Sequence, residues 1–199
     1  MSGKKDFVIE QGGTFSQIIR WEAPPIIYKP ITAITQSAPV RITSTDHGVP
    51  PGWRVAIVSV KGMTQINAPH VVSDQHFYPA TVVDSNTIEL NEINSTDYKA
   101  YVSGGYVQYN TPVSIASYTA RMSCKDKVGG TEFLKLTTEN NRILINDTTK
   151  SIQLLVDDTT TSALTVFKGV YDLELVSPGG VVTPLLSGSI TVNKEVTTT

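Results

Sequence analysis

Cysteine is almost missing from these 199 residues: Cys124 is the only one, which excludes an internal disulfide and any cysteine-built zinc site. Runs of one charge are missing too. Sixteen Lys and Arg meet eighteen Asp and Glu, and no block of one sign exceeds the Lys4-Lys5 pair. A nucleic-acid footprint needs clustered cations, so nucleic acid is not an expected partner. No apolar run approaches the roughly 20 residues that span a bilayer, so no membrane insertion is expected. The opening "MSGKKDFVIEQ" has charge but no hydrophobic region of a signal peptide, and synthesis in the cytoplasm is the expectation. Histidine is scarce: His47, His70 and His76 show no i, i+4 spacing and no acidic company, and His47 in "DHG" reads as a turn residue. Neither G-x-S-x-G nor H-E-x-x-H occurs. The glycine-bearing "SPGG" and "SGG" stretches do not open a helix after a parallel strand, as a phosphate-binding loop would. No catalytic, cofactor-binding or metal-binding residues are therefore expected, and the chain reads as a non-enzyme.

What the chain has in quantity is Thr, Ser and Val, residues suited to half-buried pleated surfaces, which points to an all-β fold. Phe7, Ile9 and Phe15 alternate around the turn signal "QGG". Then "WEAPPIIYKP" places three prolines in seven residues, which reads as a linker outside any sheet. From Ile31 to Tyr109 come short runs bounded by Gly, Pro, Asn or Asp, with Asp84-Ser85-Asn86 as a hairpin tip. Five or six strands in that length suggest a small antiparallel barrel. After Pro112 the strands lengthen, with turns at Asn140-Asn141 and Asn146-Asp147 and one helical turn capped by Asp157 or Asp158. Ser177-Pro178-Gly179-Gly180 is the strongest hairpin signal in the chain.

Residues 112 to 199 hold about six strands, short of a two-faced sandwich unless residues 5 to 22 supply the rest. The expected architecture is an immunoglobulin-like antiparallel β-sandwich of residues 1–30 and 110–199, interrupted by an inserted small β-barrel of residues 31–109. Insertion of this kind works where two junctions lie close together at a surface.

The outer segments "DFVIEQGGTFSQIIRWE", "PVSIASYTARMSCKD" and "GVYDLELVSPGGVVTPLLSGSITVNKEVT" resemble a family of small virion proteins of tailed bacteriophages. Ser117 stands where that family usually has glycine. The inserted "ITAITQSAPVRITSTDHGVPPGWRVAIVSVKGMTQINA" and "SGGYV" are similar to the first catalytic cysteine half-domain of ubiquitin-activating enzymes, a β-module that recurs in phage tail proteins. Cys124 lies outside this segment, so no chemistry follows from the enzyme's name. The resemblance implies a structural viral protein located in the virion: a tail or baseplate component, or an adaptor to fibres or receptor-binding proteins. It also implies a homo-oligomer of threefold or sixfold symmetry in the particle. The alternative is a carbohydrate-binding module for adhesion to the host surface, with the insert reading the sugar.

Candidate partner contacts are the aromatics Trp53, Tyr101 and Tyr106, since Trp and Tyr are enriched at interfaces. Lys194, Glu195 and Val196 join them, because the polar tail "NKEVTTT" has nothing of its own to bury. That tail and the residues before Phe7 are expected to be mobile in the free chain.

Overall fold

Alternation shapes the start of the chain: β2 (Phe7–Glu10) follows a short β1 (Gly3–Lys4), turns Phe7 and Ile9 inward and leaves Val8 and Glu10 outside. Strand β3 (Phe15–Ile19) repeats the pattern after the Gln11-Gly12-Gly13 turn. The computed structural model describes residues 3–70 and 72–196, and they form an all-β protein with antiparallel sheets. Two compact units divide the chain: Met1–Trp21 with Ser114–Thr199, and Glu22–Val113 between them. The junctions thus fall at 21/22 and 113/114, whereas the sequence placed them at 30/31 and 109/110.

The reason for that difference is β4 (Glu22–Pro30), which corrects the reading of this stretch as a linker. Strand β4 pairs on one side only, with β10, and so lies at a sheet edge. An edge strand offers half of its donors to a neighbour, which makes proline tolerable there. The ladder also shifts register: Asn110 faces Ile26 and Thr111 faces Ala23, so Pro24 and Pro25 are passed over.

The inner unit continues with β5 (Ala33–Thr35), β6 (Val40–Thr43), β7 (Arg54–Lys61), β8 (Tyr78–Val82), β9 (Thr87–Leu90) and β10 (Ser103–Pro112). Their order in one sheet is β4-β10-β7-β8-β9-β6-β5. No sheet among the described residues is closed, so the closed barrel expected for the insert is corrected to an open seven-stranded sheet. Its two edge strands follow each other in the chain. Only the link Ile31-Thr32 joins them, with the Ile31 N–H donating to Gly105 O at 3.0 Å and the Thr32 N–H to Thr43 O at 2.9 Å. The hairpin β8–β9 forms as its tip residues predict, and the Asp84 carboxylate accepts from the Asn86 N–H at 2.7 Å. One core serves this unit, with Trp53, Ile42, Ile57, Met63, Ile88 and Leu90 among its buried residues.

The outer unit resumes with β11 (Thr119–Lys125), β12 (Glu132–Thr137), β13 (Ile143–Asn146) and β14 (Ser151–Val156). The short helix α1 (Asp158–Ser162) follows, then β15 (Lys168–Val176) and β16 (Val182–Asn193). The Asp157 side chain caps α1 by accepting from the Thr160 N–H at 2.7 Å. One sheet runs β1-β16-β15-β11-β12 with β2 also on β16; the other is β13-β14-β3. Both send side chains into a single core that includes Phe7, Phe15, Met122, Leu136, Ile152, Leu154, Leu173 and Ile190. Burying each large apolar side chain of this kind stabilises by about 1.5–3 kcal/mol. Cys124 belongs to this core, 0% exposed, as a small buried hydrophobe.

The residues before Phe7, expected to be mobile in the free chain, are paired with β16 in the described part. Gly3 and Lys4 pair in parallel with β16, the Lys5 N–H donates to Ser187 O at 3.2 Å, and Asp6 accepts from the Ser189 N–H at 2.7 Å. Gly188 makes this approach possible, because a Cβ there would sit 2.0 Å from Lys5 O. Residues 1, 2 and 197–199, which the same expectation covered, lie outside the described residues.

Candidate functional site

The β4–β10 pair presents an aromatic ledge on the outer face of the inner unit. Directly opposed residues on antiparallel strands share a face, and the register sets Tyr28 against Gln108 and Pro30 against Tyr106. Tyr28 and Tyr106 are therefore diagonal neighbours, and their rings meet edge to face with centroids 6.1 Å apart. Both are exposed, 52% and 42%, and Ile26 on the same strand is exposed at 45%. Sequence reasoning found Tyr106 and missed Tyr28 and Ile26, because the prolines around them had removed the stretch from the sheet. In the structure Ile26, Tyr28 and Pro30 are exposed while Ile27 and Lys29 are less so, a period of two that the residue types Ile-Ile-Tyr-Lys-Pro do not display.

Trp53 is no surface contact. It is fully buried, its indole N–H donates to Asn110 O at 3.1 Å, and it fills the core of the inner unit. Tyr101 is half-buried, with its hydroxyl on Ile31 O at 3.0 Å and Gly104 O at 3.1 Å, so it fastens the end of β10. Lys194 lies over the Phe167 ring at 5.8 Å, and the Glu195 N–H donates to Gln11 Oε1 at 3.2 Å. Val196 is 96% exposed. Of the six candidates, Tyr106 and Val196 present large exposed apolar surface. Trp53, Tyr101 and Tyr106 belong to the inner unit, Lys194, Glu195 and Val196 to the outer one.

Beside the ledge, Arg54 on β7 makes a bidentate pair with Glu22, at 2.6 and 2.8 Å, and reaches Asp74 at 3.1 Å. The guanidinium also lies 5.1 Å from the centre of the Phe77 ring. Glu22 accepts further from Asn110 Nδ2 at 2.7 Å. These bonds hold the Arg54 proton more tightly than usual, the Glu22 hydrogen bond being the largest cause. Glu22, the first residue of the inner unit, faces Pro112 near its last, so this cluster fastens the two strands by which the unit leaves and returns.

A groove of about 610 Å³ lies on the outer face of the six-stranded sheet of the outer unit. Its floor is polar and largely self-paired. Arg121 binds Glu174 at 2.7 Å, Lys4 donates to the Ser187 hydroxyl at 2.9 Å, and the Ser123 hydroxyl donates to Glu132. All three histidines of the chain lie in residues 22–113, so the Ser123 hydroxyl has no histidine in its own unit to act as a base. Burial pushes the Cys124 thiol up to about 12, which leaves it protonated and unreactive at neutral pH.

His47 is buried within a turn: its Nδ1 accepts from the Val49 N–H at 3.0 Å, and its Nε2 lies 2.9 Å from Asp84 O. Among the described residues no group of three or more His, Cys, Asp or Glu side chains converges as metal ligands would. No helix among them is long and apolar enough to cross a membrane. No protein-family model matches this chain, and no curated protein matches it.

Proposed function

We propose that this chain is a non-enzymatic structural protein of a tailed-phage virion, an adaptor that links the tail or baseplate to fibres or receptor-binding proteins. On this reading the outer unit is an immunoglobulin-like sandwich and the inner unit is a β-domain displayed by it. The observation that carries the reading is the presence of two compact bodies, each with its own core and its own exposed contact features. The inner unit offers the Ile26, Tyr28 and Tyr106 ledge; the outer unit offers β12 as an unpaired sheet edge. An adaptor needs two such surfaces, whereas an enzyme needs converging groups that are free to react. In the large groove Arg121 is instead tied to Glu174 and Lys4 to the Ser187 hydroxyl, which suits static recognition. Repetition about a threefold or sixfold axis would let each surface make many identical contacts.

Quantitative mass spectrometry of purified particles of the phage that carries the gene tests this reading. The chain should be present at a copy number that is a multiple of three or six relative to a tail protein of known stoichiometry. Its absence from washed particles would refute the assignment.

A further inference from the structure

We propose that the inner unit binds a single neutral saccharide ring in a small cavity separate from the aromatic ledge. The cavity, about 170 Å³, opens between the turn at residues 64–69, the start of β8 and the loop at residues 92–98. Its walls are held in advance. The Asn67 amide bonds both the N–H and the C=O of Val60, at 2.8 and 2.9 Å, and the Ala68 N–H donates to Ile57 O at 2.7 Å. On the other side Tyr98 is fixed through its backbone, its N–H donating to Ser95 O at 3.1 Å and its C=O accepting from Gln36 Nε2 at 2.5 Å. Ser95, fully buried, anchors that loop to Thr35 O at 3.1 Å and Ser37 O at 3.0 Å. Such prior ordering removes much of the entropic cost of binding.

The lining matches one ligand chemistry. Ile66 and Ile93, both buried, form an apolar floor, with the rings of Tyr78 and Tyr98 beside it. Gln65, Glu92, Tyr78 and Tyr98 line the cavity, and their side chains make no hydrogen bond among the described residues. A ligand must therefore show an apolar face to the floor and several hydroxyls to its rim. Size limits it to one ring, because drug-sized ligands occupy roughly 300–1,000 Å³. Charge limits it further: no Lys or Arg lines the cavity, and the ring of His76, which does line it, is engaged by the Ser73 N–H at 3.2 Å, the Ser73 hydroxyl at 3.0 Å and the Gln75 amide at 3.5 Å, so a phosphate or carboxylate would find no free cation, while Glu92 accepts from hydroxyls. A neutral pyranose meets all four conditions. This inference stands apart from the virion reading, since a sugar pocket serves an adhesin or an adaptor equally.

Saturation-transfer NMR on the full chain tests it with methyl glucoside, galactoside, mannoside and N-acetylglucosamine at millimolar concentration, and with methyl glucuronide as the charged control. At least one neutral glycoside should receive saturation, and the glucuronide should not. Glu92→Ala and Gln65→Ala alter exposed side chains, so the amide spectrum should be preserved while affinity falls about tenfold for each lost hydrogen bond. Asp172→Asn, in the large groove of the outer unit, should change nothing. Oligosaccharides ending in the best glycoside separate two sources of the same ring. Binding to both forms assigns the end of a surface glycan; binding to the free glycoside alone assigns a small metabolite. No transfer to any neutral glycoside, or transfer that both substitutions leave intact, overturns the proposal.

Discussion

At the scale of single residues, Ser117 carries a backbone conformation that most side chains avoid. Ser117 has φ of 60°, a left-handed conformation that costs an L-residue about 1–2 kcal/mol and costs glycine none. Gly loses about 0.5–1 kcal/mol more in chain entropy, so Ser117→Gly should raise stability by up to about 1 kcal/mol. A rise in urea midpoint without change in slope would register it. Two buried groups set the alkaline behaviour. Burial pushes the Cys124 thiol to about 12 and, with a smaller contribution from Asp6, the Tyr171 phenol to about 12, from ordinary values of 9.0 and 10.0. The folded state holds these protons longer than the unfolded chain, so their stabilisation is complete below pH 9 and is lost as pH rises toward 12. Urea midpoints at pH 7.5, 9.5 and 11 should fall in that order. Tyr171→Phe with Cys124→Ala should fall less steeply from its own value at pH 7.5, and an unchanged slope would contradict the assignment.

Among the elements, the β15–β16 hairpin was fully legible, because turn residues and alternation agree: Val176 pairs with Val182 around Ser177–Val181. Gly179 and Gly180 are exposed at its tip, and nothing lies within 4 Å of a Cβ built on Gly180. An eight-residue epitope inserted after Gly179 should leave the melting temperature within about 2 °C, since exposed tips tolerate insertion. A larger fall would mean the tip has an unrecognised packing role. Strand β4 was not legible. Three prolines in nine residues argue against a central strand and are compatible with an edge strand or a bulge, but edge status depends on β10, whose paired residues lie about 76 to 90 positions away. The same error hid Tyr28 and Ile26. Trp53 was misplaced for another reason: a tryptophan with an indole partner for burial, here Asn110 O, has the same sequence appearance as one at an interface. The small cavity was beyond sequence reading, since residues 64–69, 76–78 and 92–98 become neighbours only through folding.

For the whole molecule, the division into units predicts separable folding. The inner unit leaves and returns on paired strands, with Glu22 opposite Pro112 and Ala23 opposite Thr111, so its ends are adjacent. The outer core draws its residues from segments on both sides of the insertion and none from within it. Replacing residues 22–113 by a short Gly-Ser loop should leave a cooperative melt with β-type circular dichroism, and an aggregated product would mean the outer unit needs the inner one. The central claim is a repeated structural role in a virion tail. Its most direct measurement is a cryo-electron-microscopy map of the tail end of the intact particle, with the epitope at Gly179 labelled by antibody. The account predicts label and two-body density in three or six copies around the tail axis, between tail and fibre or receptor-binding proteins. A single unrepeated copy, or a particle without label, would contradict it.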